Sequence, residues 1–94
     1  MDGRPKARRS VRVRAESDVP HAVLSATDFA RSVGFSDTES RSLGTVVSEL
    51  ATNILKYAHS GSVAIEEVLE RRRRGIQVTV SDRGPGIEDV QRAL

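Results

Sequence analysis

Three polar side chains interrupt an otherwise apolar helical pattern in SELATNILKYA, residues 48–58: Glu49, Asn53 and Lys56. At about 100° per residue they share an arc of roughly 60° beside the apolar stripe. A carboxylate there could take the proton of a hydroxyl as that oxygen attacks phosphorus, since an alcohol is a poor nucleophile. An imidazole acceptor, with its lone pair already free, needs no comparable base. An amide oxygen suits hard Mg²⁺, which keeps several waters and binds few protein groups. Taken alone, the seam reads first as the ordinary polar margin of a buried helix face.

The second constellation is DRGPG, residues 82–86, at the end of an apolar strand pattern. Strand ends in α/β sheets are where ligands usually sit. Asp82 can accept a hydrogen bond from an exocyclic amine, and Gly84 and Gly86 let backbone approach a flat ring without a Cβ in the way. The same residues also make good turn chemistry.

These groups have to be held by elements that the periodicity outlines. Residues 1–9 read as a flexible basic arm. From Ser10, Val11, Val13 and Ala15 alternate with Arg12, Arg14 and Glu16, a half-buried strand. SDVP supplies turn and capping residues, after which Ala22, Val23, Ala26, Phe29, Ala30 and Val33 recur at helical spacing, with Gly34 as the stop. SDTE, residues 36–39, has the capping-box pattern. It opens a long second helix whose stripe is Leu43, Val46, Val47, Leu50, Ile54 and Tyr57, ending near His59. With no second histidine at ligand spacing, neither His21 nor His59 is expected to hold a metal.

SVAIEEVLE and GIQVTVSD then read as a hairpin with the arginines 71–74 in water at its tip. Val68 breaks the inward parity of Val63 and Ile65, which predicts a bulge. IEDVQRAL reads as a short closing helix. The order β-α-α-β-β-α predicts an α+β, two-layer sandwich: a mixed sheet with helices on one face.

The 94 residues are 37% hydrophobic and 30% charged, which fits one small soluble domain. At this length folding removes only about 60–65% of the chain's surface from water. No cysteine is present, so disulfides and thiolate metal sites are excluded. No apolar run reaches the length of a membrane span, and a cytoplasmic location is expected. The basic clusters could meet phosphates, but two Phe, one Tyr and no Trp leave little for base stacking, so nucleic acid is not the expected partner.

In this order, separated by a hairpin, the two constellations resemble the N box and first glycine box of the Bergerat-fold (GHKL) ATP-binding superfamily. VVSELATNILKYAHSGSVAIEEV followed by VTVSDRGPGIEDVQRAL is most similar to the small serine/threonine kinases of bacterial sigma-factor partner switching, in particular the stressosome switch kinases. The resemblance runs from Ser10 onward and makes residues 10–94 an incomplete ATP-binding domain. It implies that Glu49 is the general base and that Asn53 binds the Mg²⁺ bridging the ATP phosphates. Lys56 would approach those phosphates and Tyr57 the base. Asp82 would recognise the adenine amino group, with Gly84, Gly86 and Ile87 shaping the pocket.

The same resemblance implies a protein substrate, an antagonist of the STAS type, and a phosphatase or sigma factor as further partner. No ATP lid and no second glycine-rich box follow the first within these 94 residues, and such a box supplies backbone N–H donors for phosphate. Weak or absent ATP binding, no robust turnover, and self-association through an uncovered sheet edge are therefore expected of this polypeptide. A non-catalytic partner-binding module and a water-attacking ATPase half-site are the alternatives.

Overall fold

The structure is a computed structural model describing residues 7–82 and 88–92, with side chains described for residues 7–81. Two helices, α1 (Asp18–Ser32) and α2 (Asp37–Tyr57), cover one face of a four-stranded sheet. The strands are β1 (Arg8–Val13), β2 (Gly61–Glu70), β3 (Arg73–Asp82) and β4 (Glu88–Arg92), in spatial order β1-β2-β3-β4. The α+β, two-layer sandwich is as the periodicity predicts.

Two features of the predicted layout are corrected. Every pairing among the described strands is antiparallel, where a mixed sheet was expected. The two helices between β1 and β2 reverse the chain an odd number of times in all, so β2 returns against β1. The other correction concerns residues 88–92, which form a strand on β3 and not a helix: Ser81 pairs with Glu88 and Gln77 with Arg92. An eight-residue helix has little stability of its own, whereas the edge of β3 offers a ready row of backbone partners.

β1 begins at Arg8, two residues inside the expected arm. β2 and β3 keep one register from Gly61↔Asp82 to Glu70↔Arg73, so no bulge accompanies Val68; it simply sits half-buried in the outward row with Ala64 and Glu66. The hairpin closes on Arg71 and Arg72 alone, with φ of 51° and 66°. Two successive left-handed residues match the twist of the flanking strands, though the sequence carries no Asn-Gly to advertise it.

The core lies between the layers. Ala22, Ala26, Phe29 and Ala30 of α1 and Leu43, Val47, Leu50, Ala51 and Ile54 of α2 meet Val13, Val63, Ile65, Ile76 and Val78 of the sheet. Tyr57, expected in the stripe of α2, is 73% exposed instead. It falls one turn beyond Ile54, on the side of Asn53, where neither α1 nor the described sheet reaches. Gly44 sets the distance between the helices: a Cβ there would stand 2.9 Å from Cγ2 of Thr27 and 3.3 Å from Cγ1 of Val23.

The start of α2 is fixed by the predicted capping box. The Ser36 hydroxyl accepts from the Glu39 N–H at 3.1 Å, and the Ser36 N–H donates to the Glu39 carboxylate at 2.9 Å. That backbone hydrogen bond holds the Glu39 carboxyl below its ordinary pKa. α1 is entered differently. The Asp18 carboxylate accepts the N–H groups of Arg14 and Ala15 at 2.8 and 3.1 Å, and these two bonds lower its pKa.

Candidate functional site

Glu49, Asn53, Lys56 and Tyr57 occupy the last nine residues of α2, and all four side chains are exposed. Half-buried Val46 and buried Leu50 form the margin between them and the core. The seam thus borders the core as the spacing predicts, and it faces solvent among the described residues. Neither Glu49 nor Asn53 has a hydrogen-bond or ion-pair partner there. The Lys56 ammonium lies 5.3 Å from the centre of the Tyr57 ring, a cation–π distance.

The helix ends on Ala58, whose N–H bonds to the Ile54 carbonyl, and His59 takes φ 70° in the position that usually favours glycine. The chain thereby turns directly into β2 at Gly61. Because Gly61 pairs with Asp82, the end of β3 is brought beside the end of α2. Two segments more than twenty residues apart in sequence thus arrive at one end of the sandwich. Along β3, Ile76, Val78 and Val80 form the row facing the helices, and the strand ends at Asp82. Gly84, Gly86 and Ile87 lie outside the described residues.

Two depressions among the described residues lie away from the seam. One, about 350 Å³, is on the outer face of the sheet over Arg8, Ser10, Ser62, Ala64, Glu66, Thr79 and Ser81. The other, about 340 Å³, lies along the first half of α2 over Thr38, Arg41, Ser42 and Thr45.

Sequence reasoning missed Arg74, which is not at the solvated tip of the hairpin. Its guanidinium donates to the Val33 carbonyl, stands 5.5 Å from the Phe35 ring centre and lies 3.7 Å from the Glu67 carboxylate. It ties β3 to the α1–α2 connection and so orients the start of the helix that bears the seam. The signal available was parity: Arg74 shares the inward row with Ile76 and Val78.

Comparison with known proteins identifies the family. The chain is 34% identical over 84 residues to Serine/threonine-protein kinase RsbT of Bacillus subtilis (strain 168). The aligned part is 89% of this chain and 63% of that protein, so the chain spans less than two thirds of its relative's length. The family profile for the histidine kinase-like ATPase domain matches residues 11–94, from β1 through the segment that follows Asp82. On that match the chain belongs to the histidine kinase-like ATPase domain family.

Proposed function

We propose that this chain is the nucleotide-binding part of an ATP-dependent serine/threonine protein kinase acting in a cytoplasmic partner-switching pathway. The γ-phosphate would pass to a serine or threonine of an antagonist protein of the STAS type, with a phosphatase or sigma factor as the alternate partner. One observation carries the proposal. Glu49 and Asn53 stand exposed and without described partners on the helix end that the β2–β3 register brings beside Asp82. A relative named a serine/threonine-protein kinase supports the choice of acceptor.

Asp82 accepts a hydrogen bond from the adenine amino group, and Gly84, Gly86 and Ile87 shape the pocket around the ring. Tyr57 packs near the base, and Lys56 swings from it toward the phosphates. Glu49 takes the proton of the attacking hydroxyl. Asn53 is the residue that would hold Mg²⁺, through its amide oxygen. The described residues contain no cluster of three or more acidic, histidine or cysteine side chains. A single exposed amide fits Mg²⁺ better than it would fit a cation needing an all-protein cage. When bound, Mg²⁺ offsets the negative charge of the phosphates.

The test is a titration of the ¹⁵N-labelled chain with Mg·ATP into the millimolar range. Amide shifts are expected over residues 49–61 and at Asp82, removed by Asp82→Asn and retained by Glu49→Gln. Absence of shifts both in this chain and in one extended by a second glycine-rich box, or shifts confined to the outer sheet face, would overturn the nucleotide reading. In a chain extended by a second glycine-rich box, Glu49→Gln should abolish phosphate transfer to the antagonist while leaving the nucleotide shifts in place. Unaltered partner binding with no nucleotide response would favour a non-catalytic binding module. Phosphate release without a protein acceptor would favour an ATPase half-site.

A further inference from the structure

The bond from the Glu67 N–H to the Ala7 carbonyl, 3.0 Å, fixes which backbone groups of β1 face β2. In an antiparallel ladder the hydrogen-bonded pairs alternate. With the register Arg8↔Glu66 through Val13↔Gly61, residues 9, 11 and 13 exchange bonds with β2. The N–H and C=O groups of Arg8, Ser10 and Arg12 therefore point away from the sheet. β1 ends the sheet in the order β1-β2-β3-β4, so among the described residues these six groups form an open edge.

The side chains on this edge are unusual for their sign. RRSVRVR, residues 8–14, has four arginines and no acid. Arg9 faces the helices and is occupied: it donates to the Ser25 carbonyl at 3.2 Å and lies 5.6 Å from the Phe29 ring centre. Arg8 and Arg12 stand on the opposite face, exposed, with no ion-pair partner among the described residues. Arg8 has Glu66 as its cross-strand neighbour, and Arg12 has only Ser62. Arg8 and Ser10 also line the depression of about 350 Å³ on that face.

We propose that the β1 edge binds an extended acidic segment of a partner protein by strand addition. The added strand bonds to the backbone of Arg8, Ser10 and Arg12. Its carboxylates at alternate positions then lie on the outer face beside Arg8 and Arg12, because side chains alternate along a strand with period two. A second copy of β1 is a poor occupant, since it would set arginine against arginine. Nucleic acid is also a poor fit. Phe29 is buried beneath Arg9, and no exposed aromatic adjoins the edge for a base to stack on. The proposal is independent of the nucleotide reading.

The probe is a ten-residue peptide alternating glutamate with threonine, compared with its lysine counterpart and with a form N-methylated at alternate residues. Hydrogen exchange of the intact chain is read by NMR. The glutamate peptide should slow exchange of the Arg8, Ser10 and Arg12 amides specifically, and the lysine and N-methylated peptides should not. The exposed double substitution Arg8→Glu, Arg12→Glu should weaken the glutamate peptide by about tenfold or more and let the lysine peptide bind. An unchanged amide spectrum away from β1 verifies that this variant folds. Should it not fold, the N-methylated peptide decides on the wild-type chain. No protection at millimolar peptide, equal protection by the N-methylated form, or protection that rises with protein concentration alone would each overturn the proposal. Protection by a short DNA duplex but not by peptide would do the same.

Discussion

At the scale of single residues, the polar groups that matter most are those whose partners can be named. Ser40 sits wholly buried in the first half of α2, and its hydroxyl has no hydrogen-bond partner among the described residues. A buried, unsatisfied hydroxyl costs about 1–3 kcal/mol, and alanine is the better helix former. Ser40→Ala should therefore raise unfolding stability by about 1 kcal/mol, measured as a higher urea midpoint with unchanged slope. A lower midpoint would mean that the hydroxyl has a partner after all. Helical spacing puts Ser40 on the face of Leu43 and Val47, so its burial follows from periodicity, but nothing local in the sequence tells whether a buried hydroxyl finds a partner. Glu49 and Asn53 were legible because they are polar groups at helical spacing where a capping box and an apolar stripe had already fixed the helix phase.

At the scale of elements, the helices were readable because their starts are written in side chains. Ser36 and Glu39 close the box that SDTE promises, and Asp18 ties down the turn that SDVP suggests. Both carboxyls have lowered pKa values in the fold, so each prefers the charged state more in the folded than in the unfolded chain. Their contribution is complete above the unfolded-state pKa and is lost as pH falls through the folded one. Urea midpoints measured near pH 7 and near pH 3 should thus fall for the wild-type chain. The Asp18→Asn, Glu39→Gln variant should start lower and fall less; an equal fall would remove these two groups from the acid response. The strands were less fully legible. Alternation located Val63, Ile65, Ile76 and Val78 in the core, but Val68 was misread as a bulge because a one-sided parity count ignores the outward row. Residues 88–92 were misread because Ile87, Val90 and Leu94 have helical spacing. The competing partner, the edge of β3, is not a local property of that segment.

At the scale of the whole molecule, the layers are joined at both ends. At one end α2 passes through His59 into β2 and reaches Asp82 by register. At the other, Arg74 crosses from β3 to the α1–α2 connection, where it covers Gly34 at φ 98°. This second junction was hidden in a run of four arginines: Arg71 and Arg72 form the solvated turn, whereas Arg74 is the second residue of β3, in its inward row. Arg74 bonds a carbonyl at the negative end of α1 and stacks over Phe35 with one planar group, a combination that a lysine ammonium cannot reproduce. Arg74→Ala should cost about 1 kcal/mol in urea unfolding, and Arg74→Lys should recover less than half of it. Glu67→Gln alone should cost little, because the pair at 3.7 Å involves a half-exposed guanidinium. The location of the loss tests the argument more closely than its size. Hydrogen exchange should quicken at the Gly34 and Phe35 amides, which bond back to Arg31 and Ala30. Amides in the last turns of α2, at the far end of the sandwich, should keep their protection. Uniform acceleration along the chain would instead make Arg74 one more contributor to global stability, with no special hold on the helix connection.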